Sequence, residues 1–366
     1  MYRPSVKIVP HPTRVAVLGS GYWGINYVRV LHELPDAEVA VVCDQSTSRL
    51  DEVGRRFPGT PLTDNLQEAL AVEDVQAAIV CTQAVTHREV AGLALDAGKH
   101  ILVEKPLTTS VSEADELVDL ADSLGRVLLV SHTFVYNRGV RKIKALMHAD
   151  ALGVVYYLYA RRTNLGPIRS DVNAVWDLAP HDVAIFNYLL DSRPQWVSAV
   201  GGRVLGRSRE DVGFISLGYP DDVVGHIHVS WADPHKVREF VVVGSDARVA
   251  FDDLNVAEHV RVFEKGVKAE VAEEAASFGE FHLQMRDGEI KSPTVAVSEP
   301  LKEVVGHFLH CVRRGERPRT SGEHGRNVVA VMEAIEKSLG NSGGPEAVEA
   351  ATADTPSFFS HDTPAR

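Results

Sequence analysis

Gly19-Ser20-Gly21-Tyr22-Trp23-Gly24 is the feature that most limits what this chain can fold into. The pattern G-x-G-x-x-G is weak alone, but here it follows a β-branched run at 15–18 and opens a segment, 22–34, with apolar residues at helical spacing. A strand turning this tightly into a helix uses glycine three times. The first permits the turn, the second lets a pyrophosphate approach the backbone, and the third lets the helix sit against the strand. The amino terminus of that helix then faces the phosphates. The spacing predicts a dinucleotide-binding βαβ unit.

Further short apolar runs at 38–43, 77–81 and 100–103 alternate with helical patterns such as 87–97. This alternation predicts a doubly wound parallel sheet covered on both faces. Asp44 ends the second run, 25 residues after Gly19. A carboxylate there accepts the ribose hydroxyls and repels a 2′-phosphate, which favours NAD over NADP, although Ser46, Thr47 and Arg49 soften the choice. A solvent-facing turn aspartate is the plainer alternative. Two loops follow later strands at the carboxyl edge, where such sheets bind ligands: 81–87, with Thr82 and His87, and Glu104-Lys105-Pro106. Lys105 is thereby expected near the nicotinamide as a catalytic or substrate-orienting group, with a surface turn as the alternative.

The 366 residues, 45% hydrophobic and 24% charged, supply two cores. Lys and Arg number 38 against 50 Asp and Glu, a formal charge of −12, the wrong sign for gripping nucleic acid or an anionic membrane. With no apolar run of membrane-spanning length and no signal-peptide core at 1–12, a cytoplasmic protein is expected. Cys43, Cys81 and Cys311 lie far apart without metal-ligand spacing, so they are expected as buried small hydrophobes, with no metal site.

Beyond Arg138 come long strand patterns at 154–161, 197–205, 214–219, 223–231 and 238–244, expected to form an antiparallel sheet. Too many of their residues are apolar on both faces for one to be solvated, so a homo-oligomer is expected. Ahead of a helix predicted at 183–190, Asp177 and His181 are four apart and share a face if helical geometry begins at Asp177, with Pro180 in the first turn. Each has a structural alternative: an N-cap for Asp177, a satisfied core imidazole for His181. Arg161, Arg162, Asn164 and Arg169 can reach a sugar, carboxylate or diphosphate, or form a solvated strand end; Lys236 and Arg238 are equally ambiguous. Amphipathic helices are expected from 298 to 314 and from 322 to 339, and the acidic stretch 270–280 reads as a solvated loop or hairpin.

With its glycine loop, Glu104-Lys105-Pro106 and Asp177-Leu178-Ala179-Pro180-His181, the chain resembles the glucose-fructose oxidoreductase / inositol dehydrogenase (Gfo/Idh/MocA) family from about Arg14 to Leu339. Gly21-Tyr22-Trp23-Gly24, Ser131-His132-Thr133-Phe134-Val135-Tyr136-Asn137, residues 176–182, Val241-Val242-Val243-Gly244 and Glu299-Pro300-Leu301 look like the branch of sugar 3-dehydrogenases of amino-sugar and nucleotide-sugar biosynthesis. Arg138, where that branch has Pro, and Gln83-Ala84, where Pro-rich residues are commoner, depart from the pattern at the pocket edge.

The resemblance implies an α/β fold: a Rossmann domain at 1–130 and a C-terminal α/β domain at 131–339 with a large open antiparallel sheet that makes a homodimer or homotetramer. Past Leu339 the run Gly340-Asn341-Ser342-Gly343-Gly344-Pro345 breaks the helical pattern and the remainder is polar and Ala-rich, so a flexible tail is expected at 340–366. It implies Gly19, Gly21, Tyr22, Trp23, Gly24, Asp44, Thr82, His87, Glu104 and Lys105 at NAD. It places Tyr136, Asn137, Arg162, Asn164, Arg169 and Lys236 at a small-molecule sugar, and Lys105, Asp177 and His181 in catalysis. The activity implied is NAD-dependent oxidation of a ring hydroxyl, at C3, of an amino-sugar precursor or nucleotide sugar to the ketone that an aminotransferase uses. The alternatives are a dehydrogenase of an inositol or an aminoglycoside intermediate, and a non-catalytic NAD-binding regulatory protein.

Overall fold

The computed structural model describes residues 11–166, 168–169, 172–206, 208–269, 283–286 and 288–350, with only the backbone at 266–269 and 283–286. Its contacts divide into two units: residues up to Thr133 together with Glu299–Val329, and Phe134–Ser298 together with the chain from Ala330 on.

The first unit holds β1 (Thr13–Leu18), α1 (Gly24–Glu33), β2 (Ala37–Cys43), α2 (Thr47–Arg56), β3 (Leu62–Thr63), α3 (Leu66–Ala71), β4 (Ala77–Val80), α4 (His87–Asp96), β5 (His100–Glu104), α5 (Val111–Ser123) and β6 (Leu128–Ser131). All six strands run parallel in the order β3-β2-β1-β4-β5-β6. That order reverses between β1 and β4, and a crevice at such a switch point is where doubly wound sheets take dinucleotides. Val15, Val17, Ile79 and Leu102 are fully buried, as parallel strands covered on both faces require.

The return of the chain into this unit corrects the domain expectation, which gave everything from 131 to 339 to the second domain. Pairs Arg29–Glu299 and Lys302–Glu33 join α1 to α8 (Pro300–Arg314), and Arg313 reaches Asp36. The Thr320 hydroxyl donates to the Val130 carbonyl at 2.6 Å, and the Val130 N–H donates to the Thr320 carbonyl at 2.8 Å. Sequence distance hid these contacts.

The second unit holds α6 (Arg138–His148), β7 (Val155–Thr163), α7 (Ala174–Leu190), β8 (Trp196–Gly202), β9 (Val212–Gly218), β10 (Val224–Ser230), β11 (Val237–Gly244), β12 (Arg248–Asp252), β13 (Val260–Phe263), β14 (Gly266–Ala269), β15 (Leu283–Arg286), β16 (Ile290–Lys291) and β17 (Glu346–Ala347). The helix α9 (Gly322–Gly340) precedes β17. Nine strands form one sheet, β16-β13-β12-β11-β7-β10-β9-β8-β17, and β14 pairs with β15 separately. The sheet is mixed rather than wholly antiparallel, because β7 and β10 pair in parallel. Between them the chain passes through α7, β8 and β9, which supplies the long connection a parallel pair needs. The helix α7 covers one face, packing on β7, β9 and β10.

The first part of the expected tail makes defined contacts. Val348 donates to the Gln195 carbonyl at 2.9 Å, β17 pairs with β8, and the Ser338 hydroxyl donates to Gly344 at 2.6 Å. The rest of that tail, and the acidic stretch 270–280, lie outside the described residues.

Candidate active site

In the first unit the glycine loop has the shape its spacing requires. Gly19 has φ +93°, and a Cβ there would lie 2.8 Å from the Cys81 backbone at the end of β4. A Cβ on Gly24 would lie 1.9 Å from the Gly19 carbonyl, so only glycine lets α1 start so close to the strand. Gly21 faces open space, with nothing nearer than the Arg49 guanidinium at 3.9 Å. No side chain caps α1, and no acidic residue stands in its first turn. Its positive end is therefore uncompensated, which suits a pyrophosphate. Tyr22 and Trp23, 80% and 44% exposed, stand edge to face beside the loop.

Asp44 is buried and already engaged. Its Oδ2 accepts from the Ser20 N–H at 2.7 Å and the Ser20 hydroxyl at 3.1 Å, and its Oδ1 accepts from the Ser46 N–H at 2.9 Å. It is thus no solvent-facing turn residue. It braces the glycine loop, and a carboxylate retains further lone pairs for ribose hydroxyls. We expect Asp44→Ala to weaken NAD on the order of tenfold to a hundredfold and to narrow the preference over NADP. Comparing kcat/KM for the two cofactors checks this; a wild type that prefers NADP contradicts it.

Two residues expected at the cofactor are turned inward. His87 is 1% exposed; its Nδ1 lies 2.8 Å from the Pro106 carbonyl and its Nε2 3.2 Å from the Thr82 carbonyl, so the ring ties the loop after β4 to the turn after β5. Glu104 is buried too. Its Oε1 accepts from the Tyr27 hydroxyl at 2.7 Å and its Oε2 from the Lys105 N–H at 3.0 Å, while the Tyr27 hydroxyl also meets Ser131 at 2.6 Å. Burial raises the Glu104 carboxyl above the ordinary range, against the pull of these hydrogen bonds and of Lys105. Both residues shape the Lys105 turn rather than present polar groups outward. Thr82 is half-buried, and its hydroxyl accepts from Thr86 at 2.9 Å; Lys105 is half-buried at the carboxyl end of β5. Of the cysteines, Cys43 and Cys311 are buried as expected, whereas Cys81 is only half-buried.

Behind this edge two histidines are enclosed, His132 after β6 and His324 in the first turn of α9. Burial pushes His324 down from 6.5 to about 4, and burial, His324 and Lys105 together hold His132 well below the ordinary value. The unfolded chain takes up protons on both near 6.5 and the folded chain does not, so stability is intact above that pH and declines as pH falls toward 4. At about 1.4 kcal/mol per unit, His324 alone accounts for on the order of 3 kcal/mol. Urea midpoints across that window should fall, and less steeply in His324→Phe; equal slopes in both proteins contradict the assignment.

In the second unit α7 begins well before the expected 183. Asn173 caps it by accepting from the Trp176 N–H at 2.8 Å, which places Asp177 and His181 inside the helix on one face. Asp177 is therefore not the N-cap, and Pro180 lies in the helix interior rather than in its first turn. Arg169 pairs with Asp177 at 3.1 Å, and the Phe134 ring meets the His181 ring edge-on at 5.0 Å.

Of the residues expected at the sugar, Arg162, Tyr136 and Asn137 are engaged or enclosed within their own unit. Arg162 is buried and spends its guanidinium on Asp182, Nε to Oδ2 at 2.9 Å and Nη2 to Oδ1 at 2.8 Å, while stacking 4.2 Å from the Phe134 centroid. Tyr136 is a core residue, 1% exposed. Asn137 caps α6 and donates to Asp253 at 3.1 Å, and Lys236 is exposed in the turn between β10 and β11. Asn164 is half-buried beyond β7. Asp177, His181 and Arg169 are thus brought together, with Phe134 as a neighbour that the quoted 131–137 stretch contained but no local pattern singled out.

Two family models match the chain: "Oxidoreductase family, NAD-binding Rossmann fold" over residues 13–132, and "GFO/IDH/MocA C-terminal domain" over 140–250. An inositol 2-dehydrogenase of Rhodococcus erythropolis (strain PR4 / NBRC 100887) is 31% identical over 182 residues, 49% of this chain and 53% of that protein. The match thus spans about half the length of that relative. The crystal structure of GenD2 from gentamicin A biosynthesis in complex with NAD is similar at TM-score 0.77 and 25% identity, covering 93% of this chain and 97% of that one. UDP-N-acetylglucosamine 3-dehydrogenase GnnA from Acidithiobacillus ferrooxidans, at 22% identity over 90% of this chain and 98% of its own, shares the fold with TM-score 0.77.

Proposed function

The chain belongs to the Gfo/Idh/MocA oxidoreductase family, and on that premise we propose that it oxidises a ring hydroxyl, at C3, of an amino-sugar precursor or nucleotide sugar to the ketone. The observation that carries this reading is that Asp177 and His181 stack on one face of α7 in the second unit, while in the first unit Lys105 is half-buried on a braced turn at the carboxyl end of β5. The residues of the glycine loop, the open end of α1 and Asp44 fit NAD, which when bound supplies the hydride acceptor. His181 removes the hydroxyl proton, Lys105 donates a hydrogen bond to the same oxygen and stabilises developing alkoxide, and Asp177 orients the imidazole or the sugar.

The inositol reading is the second, favoured by the 31% identity to an inositol 2-dehydrogenase. Turnover of NAD with myo-inositol against UDP-N-acetylglucosamine, compared by kcat/KM, separates the two. A preference for the nucleotide sugar supports C3 oxidation of an amino-sugar precursor; a preference for myo-inositol overturns it.

The face of the nine-stranded sheet opposite α7 carries Tyr157, Trp196, Val200 and Phe214, each at least 40% exposed. Apolar area of this kind favours burial against another subunit as a homodimer or homotetramer. Sedimentation equilibrium is expected to give at least twice the monomer mass; a clean monomer contradicts this.

A further inference from the structure

Arg238 is a cation for which the second unit offers little compensation. It stands opposite Arg162 across the antiparallel pair of β11 and β7, so both side chains leave the face of the sheet that α7 covers. Like charges directly opposite one another destabilise a sheet. Arg162 is compensated by Asp182, whereas Arg238 has one ion pair among the described residues, Nη1 to the Asp253 Oδ2 at 3.5 Å. The other oxygen of Asp253 accepts from Asn137 at 3.1 Å. A pair this long, with the arginine side chain 40% exposed, adds little stability, and it uses one of the five donors of the guanidinium.

Two further donors lie beside it. Lys236 is two residues before Arg238 and Asn164 two after Arg162, the spacing that keeps strand residues on one face. Thr163 pairs with Val237, and its hydroxyl donates to the His235 carbonyl at 2.8 Å, which holds the two strand ends level. Neither the Lys236 ammonium nor the Asn164 amide has a partner among the described residues. The carboxylates of the region are engaged: Asp253 as above, Asp233 by the His235 N–H at 2.9 Å, and Asp177 by Arg169 at 3.1 Å.

This cluster adjoins the proposed base. The Arg238 guanidinium lies 5.9 Å from the Phe134 ring centroid, and the same ring meets the His181 ring edge-on at 5.0 Å. One phenyl ring thus spaces the guanidinium from the imidazole. A sugar with a hydroxyl at His181 has its far side, or a substituent there, within reach of Arg238.

We infer that Arg238, with Lys236 and Asn164, forms an anion subsite that takes a phosphoryl or carboxylate group carried by the sugar. The planar fork of Arg238 matches two oxygens of either group, Lys236 adds a point charge at the rim, and the Asn164 amide donates a further hydrogen bond. No bond is made or broken there; the subsite selects an anionic substrate and turns it toward His181. The inference rests on the reading that His181 acts on a ring hydroxyl.

The test pairs neutral with anionic sugars, N-acetylglucosamine with its 1-phosphate and glucose with glucuronate, each turned over with NAD. In wild type kcat/KM is expected to favour the anionic member of one pair by roughly tenfold to a hundredfold, the size of a hydrogen bond to a charged group, and the pair that shows it tells phosphoryl from carboxylate. Added salt should erode that preference. Arg238→Gln should remove most of it through KM, Arg238→Lys should keep part, and Lys236→Gln, in an exposed turn, should reduce it; the salt and Lys236 arms hold even where Arg238→Gln fails to fold. Calorimetric titration of the two anionic sugars into the NAD-loaded protein reads the same subsite without turnover. A wild type that uses the neutral sugars as well as the anionic ones overturns the subsite and leaves ring oxidation standing. Equal losses on neutral and anionic sugars in Arg238→Gln also overturn it, because they mark a structural role through Phe134. Titrations in which Arg238→Gln weakens the anion, with no NADH formed from any sugar, instead defeat the oxidation reading alone.

Discussion

Lys105→Met and His181→Asn should each lower kcat by roughly 10²- to 10⁴-fold while NAD binding stays nearly intact. Both groups are assigned to the substrate oxygen, whereas the cofactor is assigned to the glycine loop and Asp44, so the loss belongs in kcat rather than in KM for NAD. The double variant should be little worse than the poorer single one, because two residues serving one proton transfer act as a unit. With His181 as the base, kcat/KM rises with pH along a limb that disappears in His181→Asn. A limb retained in that variant moves the base role to Lys105, and near-wild-type turnover in both singles removes the assignment.

The second large effect is on stability. Asp182→Ala leaves the Arg162 guanidinium buried, with its bidentate partner removed. Breaking a buried pair from one side costs about 3 to 5 kcal/mol, a large share of the roughly 5 to 15 kcal/mol that holds a domain together. Thermal unfolding should show a marked fall in Tm, and activity should fall with it, because Asp182 sits on α7 beside His181. Arg162→Met combined with Asp182→Leu should recover most of the loss, since replacing both charges with apolar groups removes the desolvation penalty. A wild-type Tm in Asp182→Ala would mean that Arg162 is not held as described.

This pair also shows where local pattern stops informing. Arg161 and Arg162 are neighbours in sequence, yet successive strand residues point to opposite faces, so Arg161 pairs with Glu239 at 3.0 Å and Arg162 with Asp182 in the core. Nothing in a run of arginines says which is which until β7 is set against α7. The parallel pairing of β7 with β10, the inward turn of His87 and Glu104, and the meeting of His132 with His324 are likewise contacts between distant segments. The glycine loop was legible because much of its constraint is local: Gly19 turns with positive φ and Gly24 answers to the Gly19 carbonyl of its own turn, although Gly19 also answers to the Cys81 backbone at the end of β4. The strands of the first sheet were legible because continuous apolar runs have few other uses. The start of α7 was missed because Pro180 reads as a first-turn residue, although Asn173 had already capped the helix.

The chemistry proposed for this chain is oxidation of a ring hydroxyl with NAD. The most direct measurement mixes protein and NAD with each candidate sugar, follows NADH absorbance, and weighs the product by mass spectrometry. Stoichiometric NADH with a product lighter by two hydrogens, both formed far more slowly by Lys105→Met, is the predicted result; NAD binding with no reduction on any ring alcohol would contradict it.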